Sequence, residues 1–212
     1  MTTAFSIPRV VLVPGLVALA VTLLRLTGEL RAWPRPLVNP APCGKAILGV
    51  VWLVPLVGVY FAAKLRAHGP PPRRLGRLFL YAGAGLFMKL VGTALMEMHG
   101  AYAPRLLGNL GLTLAGVVLS ALAWPRLFQL LLVYGYASRL PVAVVTFLAM
   151  RGHWGTHYDA LDPSFPAIGF WPTFLRTSFV PNIFFMEAYT VIVGLLFAAL
   201  WVALNRAWHA WK

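Results

Sequence analysis

The sequence predicts an all-α polytopic membrane protein, a six-transmembrane-helix bundle with one long outer loop. Three observations predict it. The chain is 60% hydrophobic and only 11% charged, with mean hydropathy +0.77, whereas a soluble domain carries about 25% charge. Its apolar residues come in runs near the length of about 20 that crosses a bilayer core. Its basic excess, a formal net charge of +13, lies between those runs, where loop cations set orientation. A basic recognition helix for nucleic acid is absent from the pattern, so no nucleic-acid partner is expected. The single Cys43 permits no internal disulfide. Soluble enzyme, disulfide scaffold and disordered chain are thereby excluded, and residues 1–212 read as a single membrane domain.

The spans are expected at about 10–26, 46–63, 78–96, 106–122, 127–150 and 183–204. The first is preceded by Arg9 and contains Ala18-Leu19-Ala20, which resembles a signal-peptide cleavage site. Its apolar run continues through Leu24, so a retained anchor is expected. The fourth is diluted by Asn109, Thr113, Ser120 and glycines, and Pro141 is expected to kink the fifth. Residues 66–77 hold Gly69, Pro70 to Pro72, Arg73 and Arg74, a stiff basic link. Residues 151–182 form the long outer loop. No internal repeat of the transporter kind is visible.

Basic residues orient the chain. Lys64, Arg66, Arg73, Arg74 and Arg77 crowd one short link, which places it, and with it both termini, on the cytoplasmic side. Arginine far outnumbers lysine and alanine and leucine abound, as in GC-rich bacterial genomes, so a bacterial cytoplasmic membrane is the expected location. The partners implied are the bilayer itself and anionic lipid at 64–77, at roughly 1 kcal/mol per cation; the oligomeric state is left open.

The acidic residues are Glu29, Glu97, Asp159, Asp162 and Glu187, and this topology puts all of them on the outer half. Arg25, Lys89 and Arg139 fall in or near spans. A centred charge costs about 2.5–3.5 kcal/mol on insertion scales, more than the roughly 0.6–2 kcal/mol that a polar contact between helices returns. Pairing alone is a poor motive for such charges. Helical spacing puts Arg25 with Glu29 on one face, Lys89 with Thr93 and Glu97 on another, Tyr136 with Arg139, and Glu187 with Thr190. The expected ligand-binding set is therefore Arg25, Glu29, Lys89, Glu97, Arg139 and Glu187, converging on an outward-open pocket. Lys89 and Arg139 would hold an anionic group or lipid headgroup, and Glu97 and Glu187 would balance charge or carry protons. Gly83, Gly85, Gly108 and Gly111 suggest close helix packing. Trp33, Trp52, Trp124, Trp154, Trp171, Trp201 and Trp208 suggest interfacial anchors.

The densest polar motif is Arg151-Gly-His153-Trp-Gly-Thr156-His157-Tyr158-Asp159, with Asp162 following. His153 and His157 share a helical spacing that suits a divalent metal, with Asp159 or Glu97 as a third ligand. Gly152 and Gly155 argue against a helix there, and Trp154 stands where zinc proteases carry the adjacent glutamate. His157 with Asp159 could do acid–base work, with Ser164, Thr156 or Cys43 as nucleophile. Haem ligation by His99 and a loop histidine is disfavoured, because no histidine lies in a span. The alternative to both is a loop that packs Phe170, Trp171, Phe174 and Leu175 flat at the interface with Arg176 toward headgroups. Three functions follow: a protein that binds or moves a small anionic or lipid-headgroup ligand; a membrane enzyme using His153, His157 and Asp159 at the outer leaflet; and an accessory subunit without a ligand.

Overall fold

The computed structural model of the chain describes residues 6–42, 44, 46–69, 72, 74–163, 165–166 and 168–211. Cys43, Lys45, Pro70, Pro71, Arg73, Ser164 and Lys212, on which parts of the loop and topology reading rest, lie outside them. The regular structure among the described residues is helical, with no strand: α1 (Ile7–Leu30), α2 (Leu53–Arg66), α3 (Leu75–Glu97), α4 (Tyr102–Ala123), α5 (Pro125–Gly152), α6 (Phe170–Phe174) and α7 (Met186–Ala210). Five segments are long and apolar enough to cross a membrane, the last being the continuous Phe170–Ala210.

Two expectations need correction. The second helix is shorter and later than the predicted 46–63: a single 3-10 turn at Val50–Trp52 precedes 14 residues of α-helix. Pro55 has no N–H to give to Val51, and Gly49 is fully extended, so the helix cannot grow backward. The outer loop is also shorter than 151–182. The aromatic segment does not lie apart as a loop but forms α6, two π-helical turns (Leu175–Phe179 and Pro181–Phe185), and then α7 without a break. The non-helical stretch is 153–169.

Local chemistry ends each helix. α1 starts with Pro8 in its first turn, where a missing N–H costs nothing. It stops at Ala32, with φ +50, and Trp33 N–H returns to the Gly28 carbonyl at 2.8 Å. A Cβ on Gly28 would lie 2.8 Å from the Trp33 ring, so only glycine lets that ring fold back. Trp124 separates α4 from α5 because the following Pro125 drives it into extended geometry, φ −152 and ψ 85. It is buried at this corner. Helix α5 runs through Pro141 and stops at His153, which takes a left-handed φ of +49.

Close backbone approach holds the bundle. Gly58 of α2 and Gly194 of α7 meet so tightly that a Cβ on Gly58 would sit 2.4 Å from the Gly194 carbonyl oxygen. Gly85 and Gly116 join α3 to α4 in the same way, whereas Gly83 and Gly111 face open space. The core centres on Phe61, Leu127, Leu131, Tyr134, Val191 and Leu195. Arg66 packs over Trp201, and Arg206 donates to the Pro72 carbonyl at 2.6 Å. The C-terminal ends of α2 and α7 and the start of α3 therefore share one end of the bundle. At the other end, Leu26 packs with Val145, and Arg151 covers the Phe170 ring. That end carries the C-termini of α1 and α5, the 153–169 loop and the start of α6.

Candidate functional site

Glu29 sits at the last turn of α1, where the loop from α5 returns. Arg25, one turn earlier, donates from Nε to its carboxylate at 2.9 Å. The backbone N–H of His157 donates at 2.8 Å, and His157 Nδ1 lies 2.7 Å from the same carboxylate. An ionised carboxylate can only accept, so Nδ1 carries the proton. Arg25 Nη2 reaches on to the Gly44 carbonyl at 2.9 Å. Tyr158 adds a 3.3 Å bond to the Thr22 carbonyl. One buried carboxylate thus ties three segments together. Burial pushes the His157 imidazole below its ordinary value; the Glu29 hydrogen bond pushes it up and does not offset that.

Asp159 does something else. Its oxygens accept from Gly155 N–H at 2.9 Å and from Thr156 N–H and hydroxyl, both at 2.7 Å. Burial raises its carboxyl, but these bonds outweigh burial and hold it below the usual value. It staples the turn, and Glu29, rather than Asp159, holds the His157 ring. His153 is exposed and lines a smaller cavity of about 390 Å³ with Asp159 and Arg151. His157 lines a different, larger one. The two histidines are not brought onto one face, because α5 has already ended at Gly152. Among the described residues, no three His, Cys, Asp or Glu side chains cluster as metal ligands would.

The larger cavity, about 740 Å³, lies between α1, α5, the loop and the π-helical turns. Its polar lining includes Arg25, Arg139, Thr146, His157, Ser178 and Asn182; Val21, Val142, Phe165 and Met186 are among its apolar walls. Arg139 is 3% exposed, and its Nε and Nη2 have no hydrogen-bond partner. Ser178 Oγ is likewise buried and unpartnered.

Glu187 is buried across from the cavity, on α7. Both its carboxylate oxygens lack partners. They fill the space left by Gly135: a Cβ there would lie 2.0 and 2.2 Å from them. Thr190 does not reach Glu187 but bonds the Met186 carbonyl. Tyr136 is 37% exposed and turned from the buried Arg139 side; Tyr134 is the tyrosine within the core.

Lys89 and Glu97 do not join this site. Lys89 Nζ donates to Thr93 at 3.0 Å and lies over the Phe185 ring at 5.4 Å. Thr93 and Glu97 are exposed, whereas Lys89 is half-buried against Phe185. The predicted six-residue convergence therefore divides: Arg25 and Arg139 line the cavity, Glu29 braces Arg25, Glu187 stands behind Arg139, and Lys89 and Glu97 are elsewhere.

Sequence reasoning missed Thr146, Ser178 and Asn182. A signal existed for the last two. Pro181 inside an apolar helix removes a backbone donor, and widened π turns at such points accompany functional sites. Thr177, Ser178, Pro181 and Asn182 then share one face, all of it toward the cavity. Comparison with known protein families, with curated proteins and with solved structures finds no match to this chain.

Proposed function

We propose that this protein binds, and moves or presents, an amphiphilic ligand with a single anionic group, held in the α1–α5–α7 cavity with the anion on Arg139. The observation that carries the reading is Arg139 itself. A guanidinium 3% exposed, with Nε and Nη2 unsatisfied beside a cavity of about 740 Å³, calls for an acceptor that the protein does not supply. Guanidinium groups match carboxylates, sulfates and phosphates through paired donors. Arg25 adds a second cation at the rim. The volume falls in the range of ligand pockets, about 300–1,000 Å³, and an anion alone would leave the apolar walls uncovered. A ligand with an apolar tail, as lipids have, fits both halves.

The same reading places the chain as multi-pass in a bacterial cytoplasmic membrane with the cavity opening outward. Lys64 over Tyr60, Arg66 over Trp201 and Arg77 over Tyr81 pair cations with aromatics at the opposite end, as interfacial anchors do. That end would face the cytoplasm and its anionic lipid.

The test uses two probes with one headgroup. Methyl sulfate and octyl sulfate are titrated calorimetrically into the purified full chain in detergent, with a detergent blank subtracted. Saturable octyl sulfate binding, weakened about hundredfold or more by Arg139→Met, supports the site. Comparable binding of methyl sulfate identifies a free anion as the ligand class; octyl sulfate alone identifies a lipid. Equal binding by wild type and Arg139→Met, or none by either, overturns the reading.

A further inference from the structure

We propose that anion binding at Arg139 is coupled to the uptake of one proton by Glu187, so that the site loads ligand and proton together. This inference rests on the cavity reading above and adds its regulation.

The geometry puts one cation between two anion positions. Gly135 and Arg139 are four apart on α5 and share a face. The Glu187 carboxylate fills the Gly135 niche, so it stands one helical turn from Arg139 and on its side. Glu187 is 4% exposed and Arg139 is 3% exposed. No ion pair within 4.0 Å joins them, and neither Glu187 oxygen nor Arg139 Nε or Nη2 has a hydrogen-bond partner. Arg139 lines the cavity and Glu187 does not, although its neighbours Asn182 and Met186 do. The ligand would approach Arg139 from one side while Glu187 faces it from the other.

Charge balance then dictates the coupling. At a pH high enough to ionise it, Glu187 offsets Arg139 while the cavity is free of ligand. A bound monoanion takes over that role and leaves Glu187 uncompensated in a medium of low dielectric. An unpaired buried carboxylate is relieved by protonation. One proton passes from solvent to a Glu187 oxygen on binding and returns on release; no other bond changes. Linkage makes the effect reciprocal, so acidification tightens anion binding.

From α5, Glu187 faces Arg139, and Tyr134 stands one residue before Gly135. From α3, Lys89 sits over the Phe185 ring, two residues before Glu187. On α7 itself, Tyr189 is two residues on. The buried positions of α4 are Asn109, Thr113, Gly116 and Ser120, and its Arg105 is spent on the Met96 and Met98 carbonyls. The cations of α2, Lys64 and Arg66, sit at the far end beside Tyr60 and Trp201. On the cavity itself, His157, Tyr158 and Asp162 are the competing titratable groups.

The experiment is the same calorimetric titration of the full chain with octyl sulfate, run at one alkaline pH in two buffers of different ionisation enthalpy. Alkyl sulfates stay ionised, so every proton counted belongs to the protein. Expected is uptake of about one proton per anion bound and an affinity rising up to about tenfold per pH unit on acidification. Glu187→Gln, which mimics the protonated acid, is expected to bind with no uptake and no pH slope. Zero uptake by the wild type overturns the proposal, and needs no variant to fold. Uptake that survives Glu187→Gln overturns it too, and its loss in His157→Gln or Asp162→Asn names the group responsible. Absence of any anion binding instead sinks the cavity reading; binding without uptake sinks the coupling alone.

Discussion

Two buried acid–base clusters sit within one molecule and are finished differently. In the first, Glu29 receives Arg25, the His157 ring and the His157 N–H, all within 2.9 Å. In the second, Glu187 and Arg139 are equally buried, yet the two Glu187 oxygens and Arg139 Nε and Nη2 have no partner. Residue types and burial are nearly the same. The difference is where each acid stands. Glu29 lies at a helix end, where a returning loop can bring backbone donors to it. Glu187 lies in a helix whose own N–H groups are already spent, against the bare backbone of Gly135. A satisfied cluster holds structure together, while an unsatisfied one beside a cavity is left with capacity to bind.

The largest effect should come from breaking the satisfied cluster. Glu29→Gln removes the charge that Arg25 and His157 share and turns one acceptor into a donor. Loss of one partner from a buried ionic network costs about 3–5 kcal/mol. A large fall in the thermal midpoint in detergent, with the 153–169 loop newly open to protease, is expected; an unchanged midpoint would erase the contrast between the clusters.

A smaller effect should follow pH. Burial holds the His157 imidazole below its ordinary value of 6.5, so the fold prefers the neutral ring. Its contribution is fully present above pH 6.5 and is lost as pH falls from there through the folded value, because the unfolded chain takes up the proton first. The thermal midpoint should drop over that window, and less steeply in His157→Gln. An equal slope in both would show that the ring is not held neutral by the fold.

The smallest stability effect is expected at the unsatisfied cluster. Glu187→Gln breaks no hydrogen bond and removes only an offsetting charge near Arg139, so its cost should stay well below that of Glu29→Gln. A loss comparable to that of Glu29→Gln would mean that Glu187 is structurally paired after all, and the comparison would collapse.

Much of the bundle was legible before any coordinates. Long apolar runs force helices because lipid leaves backbone groups no other partners, and α1, α3, α4 and α5 lie within a few residues of their expected bounds. Arg25 with Glu29 was legible as well, since both lie on one helix at a spacing of four. Three features were not. The α3 stripe of Lys89, Thr93 and Glu97 does not line the cavity, because periodicity defines a face without saying what it meets. Tyr136 was paired with Arg139, whereas the buried tyrosine is Tyr134. The aromatic stretch after Pro166 read as loop because its prolines stop ordinary helix, and π turns absorb them.

The sequence by itself therefore determined the solvent, the helices and the residues too costly to bury without a reason. Hydrophobicity and helical spacing are local properties of the chain. Only the tertiary structure decided that Glu29 would meet His157, 128 positions later, and that Glu187 would fill the niche at Gly135. Those outcomes depend on how each helix is rotated about its axis. That rotation is set by glycine contacts such as Gly58 with Gly194 and Gly85 with Gly116, whose depth no single helix encodes.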